Sequence, residues 1–332
     1  MSLSVLRKTI LVSLGLSALL AIVGLISLTI GTTDFTWGTL IRGSSTSRDT
    51  QTILSIIFSY RLPRTMLAAV TGAGLAVAGV VFQSVLRNPL ADPYVTGIAS
   101  GGSFGAVISI VTLGPGWVLG TSVCAFLGSL VTVALVYHLA SRKQGGGYVT
   151  TVILAGVIVG AFMNALTLLT VSVAGSHEMQ RIFFWLLGDL SLADARKTGV
   201  AGLLVALGWI AIFLNANRLN VLMAGDDTAA YLGLDVAHTR VLFMTAAAAI
   251  TGTVVSVAGP VGFVGLVVPH AMRLLFGPDN RVLLPAALLG GASFLAAADC
   301  IARVVAYPVE LPVGVITALT GAPFFLYLLL RR

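Results

Sequence analysis

From Ile10 to its C-terminus the chain is a succession of apolar runs, most about 20 residues long, parted by short stretches rich in Gly, Pro, Arg and Asn. A run of that length crosses the roughly 30 Å hydrocarbon core as a helix whose backbone amides are all bonded internally. A membrane barrel needs short alternating strands, and none are written here. The fold class that follows is all-α: a polytopic membrane protein with residues 1–332 as a single transmembrane domain. Charged residues make up 9% of the 332 positions, hydrophobic ones 57%, and mean hydropathy is +1.02, whereas soluble domains carry about 25% charged residues. The formal net charge of +7 comes from basic residues scattered between the runs. They set topology rather than gather into a face for nucleic acid.

Ten spans are expected. The first five run at about Ile10–Ile30, Tyr60–Leu86, Tyr94–Leu113, Trp117–Ala140 and Tyr148–Val171. The sixth and seventh are Thr198–Leu214 and Val241–Val257; the eighth lies between Gly259-Pro260 and Phe276, the ninth is Val282–Ala306, and the tenth ends at Arg331-Arg332. Pro89 and Pro93 forbid a continuous helix between spans two and three. Span eight is short and interrupted by Pro269. Gly31–Ser59 reads as an outer loop with an amphipathic return at Ile53–Phe58, and Gln180–Leu187 as a short aromatic helix at the outer interface. Arg7 and Lys8 ahead of an overlong first run read as an uncleaved first span with its basic end in the cytoplasm. Both termini then lie inside, with 11 of the 19 lysines and arginines, against 8 outside.

Thr71–Gly79 in span two matches Thr251–Gly259 at the end of span seven, sharing Thr-Gly and Val-Ala-Gly. A repeat of this kind would have inverted topology, a layout of transporters. Gly156-Val157-Ile158-Val159-Gly160 has the spacing that lets helices approach closely. Catalytic and metal chemistry find little support. Gly101-Gly102-Ser103-Phe104-Gly105 satisfies a nucleophile-elbow pattern but lies within a span without partners. No Walker A sequence occurs, and His138, His177, His238 and His270 lack ligand spacing. Cys124 and Cys300 read as small buried hydrophobes. Asp299 and Arg303, four apart in span nine, are the best candidates for an ionisable pair near the membrane. Mid-span acids for an ion-coupling site are scarce.

The long polar interruption is Asn215–Arg240. Leu219, Leu222 and Met223 share one helical face. After a turn and N-cap at Gly225-Asp226-Asp227, the apolar positions Ala229, Leu232 and Leu234 recur, with Gly233 between the last two. Two short amphipathic helices here would lie on a membrane surface or dock into another protein.

Several stretches together resemble the permease subunit of binding-protein-dependent ABC importers for iron-siderophores, haem and vitamin B12. They are Arg61-Leu62-Pro63-Arg64, Asn88–Pro93 (NPLADP), Gly259–His270 (GPVGFVGLVVPH), Glu310–Thr317 (ELPVGVIT) and Gly321–Phe325 (GAPFF), in family order over nearly the whole chain. The resemblance implies the ten-span, inverted-repeat type II importer fold. It also implies a second, most simply identical, permease subunit, two cytoplasmic ATPases that hold ATP and Mg, and a periplasmic or lipid-anchored binding protein. The setting is a bacterial or archaeal cytoplasmic membrane. The chain itself would bind no cofactor and catalyse nothing.

Carried onto this sequence, the family's coupling helices fall on residues 215–240, with Leu219, Leu222, Met223, Gly225, Asp226, Asp227, Ala229, Leu232 and Gly233 presented to the ATPase. Arg61, Arg64 and Arg303 fall where relatives meet acidic residues of the binding protein. Asn88, Leu90, Val149 and Thr150 fall at the cytoplasmic gate, with the pathway lined by spans five and ten. Gly101-Gly102 is richer in glycine than the usual family turn. The expected cargo is a metal chelate, iron-siderophore or haem ahead of a cobalamin-type corrinoid. The alternative is an ion-coupled carrier or channel without an ATPase.

Overall fold

The computed structural model describes residues 3–30, 51, 54–114, 118–141 and 148–330. Most of the expected outer loop, including Trp37, Arg42 and Arg48, lies outside those residues, as do Pro115-Gly116, the basic loop after Ser141 and Arg331-Arg332. The described residues form thirteen α-helices: α1 Leu3–Thr29, α2 Leu62–Val85, α3 Ile98–Leu113, α4 Val118–Ser141, α5 Tyr148–Ser172, α6 Ser176–Leu186, α7 Ala195–Leu214, α8 Ala216–Met223, α9 Asp226–Tyr231, α10 Val236–Ala258, α11 Val264–Phe276, α12 Asn280–Val304 and α13 Val313–Leu330. The ten spans are α1 to α5, α7 and α10 to α13. Seven helices are long and apolar enough to cross a membrane, and α3, α11 and α13 are the shorter apolar ones.

Around α2 the other helices are arranged: it packs on α12, α10, α11 and α7, and every residue from 71 to 85 is buried. Small residues permit this. A Cβ at Gly72 would overlap the Gly291 carbonyl of α12, and one at Gly79 would overlap the Gly265 carbonyl of α11. The Thr71–Gly79 repeat is thus the packing face of the central helix, and its counterpart lies in α10, which packs against it. Of the amphipathic return expected at residues 53–58, the described part from Leu54 on instead runs into α2 through a π-helical turn, Ile57–Arg61, whose extra residue per turn is common at functional sites.

Two spans are short for a shared reason. At 16 and 13 residues, α3 and α11 are roughly 24 and 20 Å long, below the hydrocarbon thickness. Both follow a break that enters the protein: Pro93 and the Leu75 carbonyl, halfway along α2, lie against Gly265. The breaks are bonded to each other, since Tyr94 Oη accepts from the Val261 amide at 2.9 Å and lies 3.2 Å from its carbonyl. Asp92 Oδ1 accepts from the Tyr94 amide at 2.8 Å, and Gln83 Nε2 donates to the Leu266 carbonyl at 3.2 Å. Irregular backbone survives at this depth because protein satisfies it. Each break carries a left-handed non-glycine residue, Arg87 at φ 48° and Phe263 at φ 68°.

Span three therefore begins at Ile98, four residues later than expected, after a 3₁₀ turn Pro93–Thr96. Gly101–Gly105 belongs to α3 and is not a turn. Its glycines seat α3 on α4, a Cβ at Gly105 overlapping the Cys124 carbonyl. In α5, Gly156 serves the spacing read from sequence, since a Cβ there would overlap the Val95 carbonyl.

Candidate coupling and gating site

At the end expected to face outward three helices are tied by charge. Arg64 Nε bonds Asp299 at 3.0 and 3.2 Å and its Nη1 bonds Glu310, while Arg303 Nε lies 3.2 Å from Asp299. Arg303 Nη1 also donates to the Ser27 and Ile30 carbonyls, at 3.0 and 3.2 Å. Arg61 Nη1 donates to the Leu28 and Thr29 carbonyls at 2.9 and 2.7 Å, a favourable place for a cation at the negative end of α1. Asp299 is fully buried, Arg303 is 3% exposed and Arg61 6%. Arg61, Arg64 and Arg303, expected to dock the binding protein, are thus engaged within this chain, where their guanidinium groups hold α1, α2 and α12 together. The Asp299–Arg303 pair was legible as an i, i+4 couple. Its outer partners, Ser27 and Glu310, carried no local signal.

The polar stretch at residues 215–240 begins as two short helices. In α8, Ala216, Leu219 and Leu222 are buried and Met223 is half-buried. In α9, Ala229 is buried, whereas Tyr231 is 92% and Leu232 68% exposed. Leu219, Leu222 and Ala229 therefore pack inside this chain and do not form the face offered to a partner; withdrawing each leucine would cost about 1.5–3 kcal/mol. Leu232 also leaves the face it was expected to share with Ala229. What projects is Asp227, Thr228 and the Ala230–Gly233 tip. Gly225 makes the turn at φ 111° and caps α9 with backbone alone, so Asp226 and Asp227 stand in its first turn, where acids suit the helix dipole. Asp235 caps α10 by accepting from the His238 amide at 3.0 Å. Span seven consequently starts at Val236, inside the stretch read as the interruption.

Polar bonds lock α8 to the bundle. Asn220 Oδ1 accepts from the Asn280 amide and from its Nδ2, both at 2.9 Å, and Asn220 Nδ2 donates to Asp279 at 2.8 Å. Asn280 is fully buried and lies 3.3 Å from Ser84 of α2. The Arg281 side chain, helped by Asn220, holds the Asp279 carboxyl down at about 2.

Asp226 is the junction. It receives Arg87 at 3.1 Å and Arg240 at 2.7 Å, and the Arg240 guanidinium lies 5.2 Å over the Tyr148 ring. Arg87 immediately precedes Asn88, and Tyr148 immediately precedes Val149. One carboxylate thus reaches both segments assigned to the gate. Asn88 and Leu90 are exposed in the turn after α2, with Asn88 Oδ1 accepting from the Leu90 amide at 2.9 Å; Val149 is half-buried and Thr150 exposed in the first turn of α5. The Pro93–Thr96 turn of the first segment packs directly on α5. Neither Arg87, Arg240 nor Tyr148 was singled out from sequence, because the pairings cross 139, 14 and 92 residues of chain.

A bundle of ten apolar helices with paired broken spans and a projecting elbow defines a membrane permease of the ABC importer kind. The chain belongs to the FecCD transport family, whose profile matches residues 19–331. It is similar to the cobalamin import system permease of Halobacterium salinarum, 44% identical over 85% of this chain and 75% of the relative. It is also similar to the hemin transport system permease of Yersinia pestis, 38% identical over 83% of this chain and 82% of the relative. A solved inward-facing structure of a metal-chelate type ABC transporter superposes with a TM-score of 0.85 at 30% identity, covering 98% of this chain and all of that one. The chain is therefore a multi-pass membrane transport component and not a catalytic enzyme.

Proposed function

We propose that this chain is the permease subunit of an ATP-driven importer for a metal chelate, working as a pair of permeases with two cytoplasmic ATPases and an outer binding protein. The cytoplasmic membrane of a bacterium or archaeon is its setting, with both termini inside. It holds no cofactor of its own; ATP and Mg belong to the ATPases. The named relatives handle cobalamin and hemin, both broad metal-centred macrocycles, and this supports the chelate class without preferring haem over a corrinoid. A binding protein would meet the outer face, where Arg64 keeps part of its side chain exposed while Arg61 and Arg303 are buried.

The observation that carries the reading is the Asp226 junction. An ATPase gripping the exposed Tyr231-Leu232 tip would move α9, and α9 is ionically linked to Arg87 beside Asn88 and Leu90 and to Arg240 against Tyr148. Because α8 is bonded to the start of α12 and packed on α2, such a movement is transmitted as rigid-body displacement rather than absorbed. The gate segments would part while the spans rock between the two permeases, α5 and α13 lining the path.

Replacing Gly225–Leu232 by a flexible linker in the reconstituted complex tests this. Uptake and transport-stimulated ATP hydrolysis are expected to fail together while the permease stays folded. Continued uptake driven by an ion gradient would establish the carrier alternative instead.

A further inference from the structure

We infer that α13 is hinged over the Phe263 side chain, so that its C-terminal half swings to open and close the path while its N-terminal half stays seated; the inference rests on the reading of α5 and α13 as the lining of that path. Of these two helices only α13 is seated at one end alone. In α5 buried side chains recur from Val152 to Thr167, and no proline interrupts them. In α13, Val313, Ile316, Thr317 and Gly321 are buried, and a Cβ at Gly314 would overlap the Leu187 carbonyl. Past Gly321 no side chain among the described residues is buried, and Leu326 and Leu330 are 58% and 78% exposed. The backbone breaks where the packing stops. Pro323 has no amide to offer the Leu319 carbonyl, and Thr320 donates its hydroxyl to the Ile316 carbonyl at 2.8 Å, two devices that bend a helix. The prolines inside α11 and α12, Pro269 and Pro285, have buried neighbours on both sides, whereas Pro323 is exposed.

Phe263 is the fulcrum. It caps the start of α11 in the left-handed region at φ 68°, a conformation costly for a bulky side chain. A Cβ at Gly321 would overlap the Phe263 Cβ, so only a glycine lets α13 rest on this side chain. The fulcrum is itself fixed. Its carbonyl receives the Leu266 and Val267 amides at 3.2 and 2.8 Å, and two residues further on Gly265 lies against Pro93. With Tyr94 bonded to Val261 on the other side, Phe263 sits between two points at which the break after α2 grips the break before α11. That first break begins at Arg87, which Asp226 holds. A displacement at the α9 elbow thus has a contiguous route, through Arg87, Tyr94 and Phe263, to the unseated half of α13. Phe263 is a positioning residue, acting on the path through α13.

Dipolar EPR tests the hinge on the full-length permease assembled with its ATPases in nanodiscs, in a C124S/C300S background and diluted with unlabelled permease so that each distance lies within one chain. Leu274, 65% exposed on α11, is the reference: L274C is paired either with L330C at the tip of α13 or with V309C ahead of its start. Bending by about 20° over the roughly 13 Å from Gly321 to Leu330 should shift the L274C–L330C distance by up to about 5 Å between nucleotide-free and ATP-trapped ATPases. The L274C–V309C distance should not change. P323A, which restores the helical bond, should keep or raise the melting temperature yet abolish the shift. F263G, which suits the left-handed backbone but removes the ring, should abolish it too, and F263Y should retain it. A purely structural role would lower the melting temperature and leave the shift. Equal shifts at both pairs, no shift in a complex that hydrolyses ATP, or a shift that survives both P323A and F263G overturns the hinge. ATPases that neither bind the permease nor are stimulated by it would instead bring down the importer reading, and the hinge with it.

Discussion

Asp299 is the residue on which the outer end turns. It is fully buried and carries two arginines, and removing one partner of a buried ion pair costs about 3–5 kcal/mol because the other charge is left unpaired. Asp299→Asn and Arg64→Ala are therefore expected to lower the melting temperature sharply in detergent. Arg61→Glu, which sets a negative charge against the carbonyl end of α1, should do the same. A binding protein measured against the folded fraction of these variants should dock with unchanged salt dependence. Asp279 gives a pH signature. Its folded pKa of about 2 lies below the ordinary 3.8, so its contribution is complete above that ordinary value and disappears as pH falls through the lower one. Thermal melts of wild type and Asp279→Asn should differ at neutral pH and converge between about pH 4 and 2.

Among elements, α9 and the crossing of α2 with α12 make opposite demands. In the proposed coupling the α9 elbow works through charge at its base, and mutations along such a network shift coupling by roughly 0.5–2 kcal/mol. Asp226→Asn should accordingly lower chelate uptake per ATP hydrolysed by about 2- to 30-fold, with basal hydrolysis retained; transport and hydrolysis assays on the same proteoliposomes check this. At the crossing, backbones touch where Gly72 faces Gly291. Gly291→Val has no flexible neighbour to displace and should cost at least the 1–3 kcal/mol typical of overpacking, seen as a lower melting temperature and poor recovery of monodisperse protein.

For the whole molecule, most hydrophobic surface of α1, α5 and α7 faces outward. Such faces meet lipid or another subunit, and the chain by itself contains no motif able to consume a nucleotide. Vesicles bearing this polypeptide alone should not concentrate a chelate under any ion gradient. Adding the ATPases and ATP should be required, and radiolabelled uptake into the two preparations distinguishes the cases.

Apolar run length is a local property, so the all-helical class, the ten spans and the weakness of span eight could be read residue by residue. So could the Asp299–Arg303 couple and the position of the inner elbow, since helical faces and i, i+4 pairs are set by neighbours in sequence. Tertiary structure decided which way those faces point. Leu219, Leu222 and Ala229 turn into their own bundle because Asn220, Asp279 and Asn280 seat α8 there, and the outer arginines turn inward because Ser27, Asp299 and Glu310 wait behind them. Periodicity says that a helix has an apolar or charged side; only the surroundings assembled from distant segments say what that side meets.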